Sequence, residues 1–242
     1  MIGCDKHFVF ACVCLAFLGI EARSQKAADI YNAYDAATGL ENLNINNGRA
    51  YPNPYKVKNG NHQFYDRDDY VSGSVVYNGQ PYFDVSLRYD IYHDILVLRP
   101  KNISNNIGTI LEKNFVDSFA IGSATFVNLG NLTAKPDFVS GYYEKVEGKS
   151  FTLYAKHHKF RRERHDGSVT YEEFSQDPNF IVERNGTFSK ANSKNDVIAL
   201  FPDQKQRIRD FYQKERELFK KTPVQFMKKL LQHIDNFNVY GS

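Results

Sequence analysis

The sequence predicts an α+β protein that is mainly antiparallel β: a meander of hairpins, as a curved sheet or a sandwich, followed by a C-terminal α-helical hairpin. Three observations predict it. Asn78-Gly79, Asp166-Gly167 and Asn185-Gly186 each stand between two β-type runs. These pairs tolerate the positive φ that tight hairpin turns demand. Val85, Leu87, Tyr89 and Ile91 alternate with Asp84, Ser86, Arg88 and Asp90, the period of two of a strand with one apolar and one polar face. After Ser193 the period lengthens to that of helices, and no helical pattern separates the strands before it, so the crossovers of a parallel sheet are missing.

Taken in order, Phe8 to Ile20 is an apolar run after Lys6 and His7 and before Ala22-Arg23-Ser24. This reads as a secretory signal peptide over residues 1–24, because a bilayer span takes about 20 residues. The acidic flanks Asp5 and Glu21 are unusual for such a segment. Residues 25–192 form the expected β-domain. Gln25 to Glu41 is Ala-rich, either two helical turns stopped by Gly39 or a leader without regular structure. Asn47-Gly48, Pro52 and Pro54 mark loop and short strands up to Val57, and Asn59-Gly60 turns into Gln63-Phe64-Tyr65. Ser74 to Tyr77 and the run from Tyr82 make the central hairpin, with a third strand over Ile95 to Leu98 ended by Pro100. Ile110 to Phe115 and Phe119 to Leu129 are strand-like, separated by Asp117-Ser118. Gly141 to Glu147, Phe151 to Arg164, Val169 to Phe174, Phe180 to Arg184 and Thr187 to Lys190 complete the strands.

Residues 193–242 are the helical segment, packed on the sheet. Ser193 with Asp196 is a capping box, and Pro202 stops that short helix. Asp203 is expected to cap a longer helix carrying Ile208, Phe211, Tyr212, Leu218 and Phe219. Thr222-Pro223-Val224-Gln225 reads as a second capping box with Pro at the first helical position, and Phe226, Leu230, Leu231 and Ile234 line one face of the last helix.

The central stretch resembles a family of small exported proteins of unknown function from the Bacteroidota. The resemblance rests on Asn47-Gly48, the GNHQFYDRDDY run, and Gly73, Ser74, Val75, Tyr77, Gly79 and Tyr82. Val85, Leu87, Tyr89, Asp90, Asp94 and Leu96 to Leu98 continue it. In the tail it extends to Asn185-Gly186, the Ser193-Lys194-Asn195-Asp196 start, Leu200-Phe201-Pro202 and two Lys-rich helices. It implies export into the envelope of a diderm bacterium, periplasmic or associated with the outer membrane or the exterior. It brings no catalytic residues.

Composition narrows the function. Cys4, Cys12 and Cys14 are the three cysteines. All lie in the expected signal peptide, so the mature chain is expected to have no disulfide, cysteine nucleophile or thiolate metal site. The net charge of +3 is weak, which argues against nucleic acid as a partner. Sixteen Tyr and nineteen Phe with no Trp suit pleated sheets. No run after residue 25 is apolar enough to span a membrane.

The strongest charge run is Lys156-His157-His158-Lys159-Phe160-Arg161-Arg162-Glu163-Arg164-His165. On a strand, His157, Lys159 and Arg161 share one side and His158, Phe160, Arg162 and Arg164 the other, so the adjacent histidines cannot share a metal. The run first suits the protection of an edge strand; its second reading makes His157, Lys159, Arg161 and Arg162 the candidate contacts for an envelope protein or an anionic glycan or lipid. Asp66, Asp68, Asp69, Asp90 and Asp94 are oxygen ligands in number but lack a calcium-loop spacing, and Asp is a common turn former. Asp84 with Glu172, or Asp90 with Asp94, would serve a carboxylate-dependent hydrolase of saccharide or lipid only if they face each other. Lys220, Lys221, Lys228 and Lys229 would suit a membrane-surface protein, or a solvated helix face. Asn102, Asn131 and Asn185 begin N-x-S/T triplets. With no familiar catalytic or dinucleotide motif, the expected function is a non-catalytic binding or structural module of the envelope, without cofactor or metal.

Overall fold

The computed structural model describes residues 28–34, 37, 39, 43–58, 60–100 and 107–238. The expected signal peptide, the three cysteines, Asn59 and Asn102 lie outside them. The architecture is α+β and mainly antiparallel. After helical residues 28–34 (α1) come β1 (Arg49–Ala50), β2 (Val71–Tyr77), β3 (Gln80–Asp90), β4 (Ile95–Arg99), β5 (Thr109–Ile110), β6 (Val116–Ile121) and β7 (Ala124–Asn128). Then follow β8 (Tyr142–Glu147), β9 (Thr152–Lys156), β10 (Lys159–Asp166), β11 (Val169–Gln176), β12 (Asn179–Arg184) and β13 (Thr187–Lys190). The tail holds α2 (Lys194–Leu200), α3 (Lys205–Lys214), α4 (Arg216–Lys221) and α5 (Pro223–Asn238). Among the described residues, eleven strands form one sheet in the order β1-β5-β4-β3-β2-β6-β7-β8-β9-β12-β13, and β10-β11 form a separate ribbon.

The turns follow from the residues that make them. Asn78 and Gly79 both take positive φ, 53° and 74°, as do Asn185 and Gly186, the requirement of a two-residue hairpin. The alternation of β3 is interrupted at Asp84, which also has positive φ (51°), opposite a register shift between Gly73 and Val75. This bulge shifts the parity by one, so Tyr82 before it and Leu87 and Tyr89 after it enter the same core.

That core curls the sheet. Tyr89 of β3 and Tyr142 of β8 are four strands apart, about 19 Å in a flat sheet at about 4.8 Å per strand. Their ring centroids are 5.7 Å apart, and Tyr89, Phe119 and Phe126 meet at 4.7–5.3 Å. A second core joins Leu153, Ala155, Phe180 and Val182 of β9 and β12 to Phe226, Leu230, Leu231 and Ile234 of α5, the helical face read from the sequence.

Several expectations are corrected. Asp90 is not on a wet face: it is fully buried, because Tyr51, Phe64 and their neighbours cover the second face of β3 and β4. Asp117-Ser118 lie within β6, and the turn falls at Gly122, whose φ is +60°. The run from Phe151 to Arg164 divides at His157-His158, where the chain leaves the main sheet to form the ribbon. Asp203 sits in a 3-10 turn, and α3 begins without a side-chain cap. The expected long helix breaks at Glu215 (φ −100°, ψ 27°) into α3 and α4. The Ser193–Asp196 capping box is present, whereas the Thr222 hydroxyl turns back to the Leu218 carbonyl.

Candidate functional site

The break at His157-His158 separates the basic run into inward and outward side chains. His157 is buried, its Nε2 lying 2.9 Å from Glu144 Oε2 and its ring meeting the Tyr65 ring edge-to-face at 4.8 Å. Lys228 of α5 donates to the other oxygen of Glu144. Burial raises the Glu144 pKa, but the bonds from His157 and Lys228 outweigh it and hold the carboxyl below its ordinary value. Lys159 is also buried, donating to the carbonyls of His62 (2.6 Å) and Phe64 (2.9 Å). Its burial lowers its pKa to about 8. Arg161 pairs with Glu172 at 3.2 Å, and its guanidinium carbon stands 5.5 Å from the centre of the Tyr55 ring. Of the four expected contacts, two are therefore internal, Arg161 is tied within the ribbon, and Arg162 is exposed on the ribbon's outer face.

The outward side chains, His158 and Phe160, enter an open cleft of about 400 Å³. Its walls come from the loop before β8 (Phe138, Ser140), from Lys156 and from the chain between β11 and α2 (Asp177, Asn179, Lys190, Asn192). Phe138 and Phe160, both lining this depression, are 38% and 52% exposed, a large apolar surface left in water. His158 lies edge-on to Phe160 at 4.8 Å, and Lys190 Nζ sits 5.1 Å from the centre of the Phe138 ring. Lys156 donates to Asp94 Oδ2 (2.7 Å) and to the Ser140 carbonyl (3.0 Å). Lys113 reaches the same Asp94 oxygen at 2.9 Å, and the Tyr89 hydroxyl donates to the other at 2.6 Å. Two ammonium groups on one carboxylate leave one positive charge beside the cleft. Lys190 adds a second, against the single carboxylate of Asp177 among the lining residues.

The acidic candidates are placed elsewhere. Asp90 accepts from the Tyr51 hydroxyl (2.7 Å) and from the backbone N–H groups of Tyr92 and His93, and meets His93 Nδ1 at 2.8 Å. Asp84 accepts from Asn32, Asp66 from Arg67 and Asp68 from Arg88. Among the described residues no group of three His, Cys, Asp or Glu side chains stands where it would hold a metal. The basic face of the tail is broken, since Lys228 is committed to Glu144 and Lys220 lies 3.6 Å from Glu217. No helix among the described residues is long and apolar enough to cross a membrane.

Phe138 and Lys190 were not visible in the sequence, because a loop and a strand end only become neighbours through the order of strands in the sheet. The one available signal was the histidine doublet: a period-two run that must turn some cations inward leaves the other parity outside. No protein-family model, curated protein or solved structure matches the chain.

Proposed function

We propose that the chain is an exported, non-catalytic binding protein of the bacterial envelope, and that it holds a negatively charged glycan in the cleft between Phe138 and Phe160. The carrying observation is the pairing of two water-exposed phenylalanine rings with surplus positive charge in one depression. Ligand sites are apolar clefts with a few placed polar groups. Here ring faces serve the C–H surface of a sugar, the Asn179 amide and the NH2 of Asn192 (its oxygen accepts from the Phe180 N–H at 2.6 Å) the hydroxyls, and Lys190 a carboxylate. A two-carboxylate glycosidase needs a second acid about 5–10 Å from the first, and Asp177 stands alone among the lining residues. That favours binding over cleavage.

The test is calorimetric titration of the mature chain with a galacturonic acid dimer, beside the Phe138→Ala/Phe160→Ala double variant. Binding by the wild type and a loss of about thirtyfold or more in the variant, from about 1–3 kcal/mol for each of two stacked rings, is expected. A wild-type chain that binds no uronate overturns the reading. Mass spectrometry of the exported protein, expected to begin at Gln25, tests the compartment.

A further inference from the structure

The ribbon β10–β11 raises a question of its own. An isolated two-stranded hairpin is marginal in water, yet this one is fixed along the outer edge of β11, where Val57 bridges to Glu172, and by the Phe174 ring on its inner face. Asn61 bonds both the N–H and the carbonyl of Phe174 (2.6 and 2.9 Å), and the Glu172 N–H donates to the Lys56 carbonyl at 2.7 Å. The Phe174 ring meets Tyr55 at 5.3 Å and Tyr92 at 5.4 Å. The outer face is thereby held in place while its side chains remain in water.

On that outer face the pairs are Phe160 with Ser175, Arg162 with Glu173, Arg164 with Tyr171 and Asp166 with Val169. Phe160 already forms one wall of the cleft, so the row Phe160, Arg162, Arg164 begins inside it and runs outward. Four residues of strand extend it by about 13 Å at about 3.3 Å per residue. Glu173 is matched by Arg164 at 2.7 Å and Asp166 by Lys58, while among the described residues Arg162 makes no ion pair. The face therefore carries one uncompensated positive charge, and Tyr171 lies across from Arg164 with Lys58 Nζ 4.6 Å from the centre of its ring, which leaves the other ring face to a ligand.

We infer that this face is a second subsite continuous with the cleft, and that the ligand is a linear acidic oligosaccharide laid from Phe160 past Arg162 to Arg164 and Tyr171. The inference rests on the proposed glycan reading and specifies the substrate class as a chain of several uronate-type residues rather than one sugar. Two arginines between a ring at either end, Phe160 and Tyr171, on a fixed strand suit a linear ligand that carries negative charge along an apolar backbone.

The test compares the galacturonic acid dimer with the hexamer, using the mature wild-type chain and the Arg162→Gln/Arg164→Gln variant. Both arginines are exposed, so thermal unfolding of the variant is expected at the wild-type temperature. Two water-exposed ion pairs are each worth severalfold at most. The hexamer is thus expected to bind the wild type about fivefold to tenfold more tightly than the dimer, with the gain shrinking as salt rises. In the variant the gain falls to less than about twofold while dimer affinity is unchanged. A hexamer that binds the wild type no better than the dimer overturns the second subsite and leaves the cleft reading intact. Failure of both ligands overturns the cleft reading itself. Binding to vesicles of anionic phospholipid that needs Arg162 and Arg164, with no hexamer gain, overturns the oligosaccharide in favour of a membrane surface.

Discussion

Replacing Glu144 by Ala tests whether the helical tail is locked to the sheet by charge. The carboxylate is 4% exposed and bonded to His157 of the β9–β10 junction and to Lys228 of α5. Removing one partner of a fully buried ion pair costs about 3–5 kcal/mol, because the other charge is stranded. Lys228 is 22% exposed, so its ammonium group swings into water and recovers part of that cost. The expected loss at pH 7 is therefore about 2–3 kcal/mol, and the Glu144→Ala/Lys228→Met cycle should show about 1–2 kcal/mol of coupling. Urea unfolding followed by far-UV circular dichroism measures both, tyrosine fluorescence being the second probe in a chain without tryptophan. The pH dependence carries its own sign. The folded pKa of Glu144 lies below the ordinary value, so its stabilising contribution is complete above about pH 4.3 and disappears as pH falls through the folded value. The variant should lose less stability than the wild type across that range. A variant within 0.5 kcal/mol of wild type, or a coupling of zero, would refute the lock.

Lys159 gives the same sign in a higher pH window, although there it is the uncharged form that burial favours. Its folded pKa of about 8 lies below the unfolded value of about 10.4, so between those values the unfolded chain binds the extra proton and stability rises with pH, by at most about 3 kcal/mol. Lys159→Met should remove that rise in unfolding curves taken at pH 7.5, 9 and 10; an unchanged slope would place the proton elsewhere. Gly141→Ala should cost at least about 2 kcal/mol, since φ is +69° and the new methyl would collide with Asp94 and Lys156. Gly167→Ala, at φ +59° with nothing within 4 Å, should cost only the about 1 kcal/mol of its backbone conformation. Equal losses in thermal unfolding would show that the Asp94 cluster yields to the intruding methyl.

The outcome for particular residues separates what is local from what is not. Asn78-Gly79 and Asn185-Gly186 were legible because a two-residue turn constrains only its own backbone, and the Ser193 capping box for the same reason. The face of α5 was legible because one helix carries its whole pattern in one segment. Asp90 was not: whether the second face of β3 meets water depends on Tyr51 and Phe64, brought there from outside the strand. The same holds for His157 and Lys159, whose cationic character predicts exposure until Glu144 and the carbonyls of His62 and Phe64 receive them. The split of the basic run between an ion lock, an internal lysine and an outward row was decided by the departure of the chain from the sheet at His157-His158.

The sequence by itself determined the antiparallel sheet, its tight turns and the apolar face of the last helix, because hydrogen bonding and side-chain alternation are properties of neighbours along the chain. Only the tertiary structure decided that the sheet curls around Tyr89 and Tyr142, that Asp90 and Glu144 are internal, and that Phe138, Phe160 and Lys190 share a cleft. Those facts depend on which distant strands are brought side by side, and burial, unlike periodicity, is a property of the assembled surface.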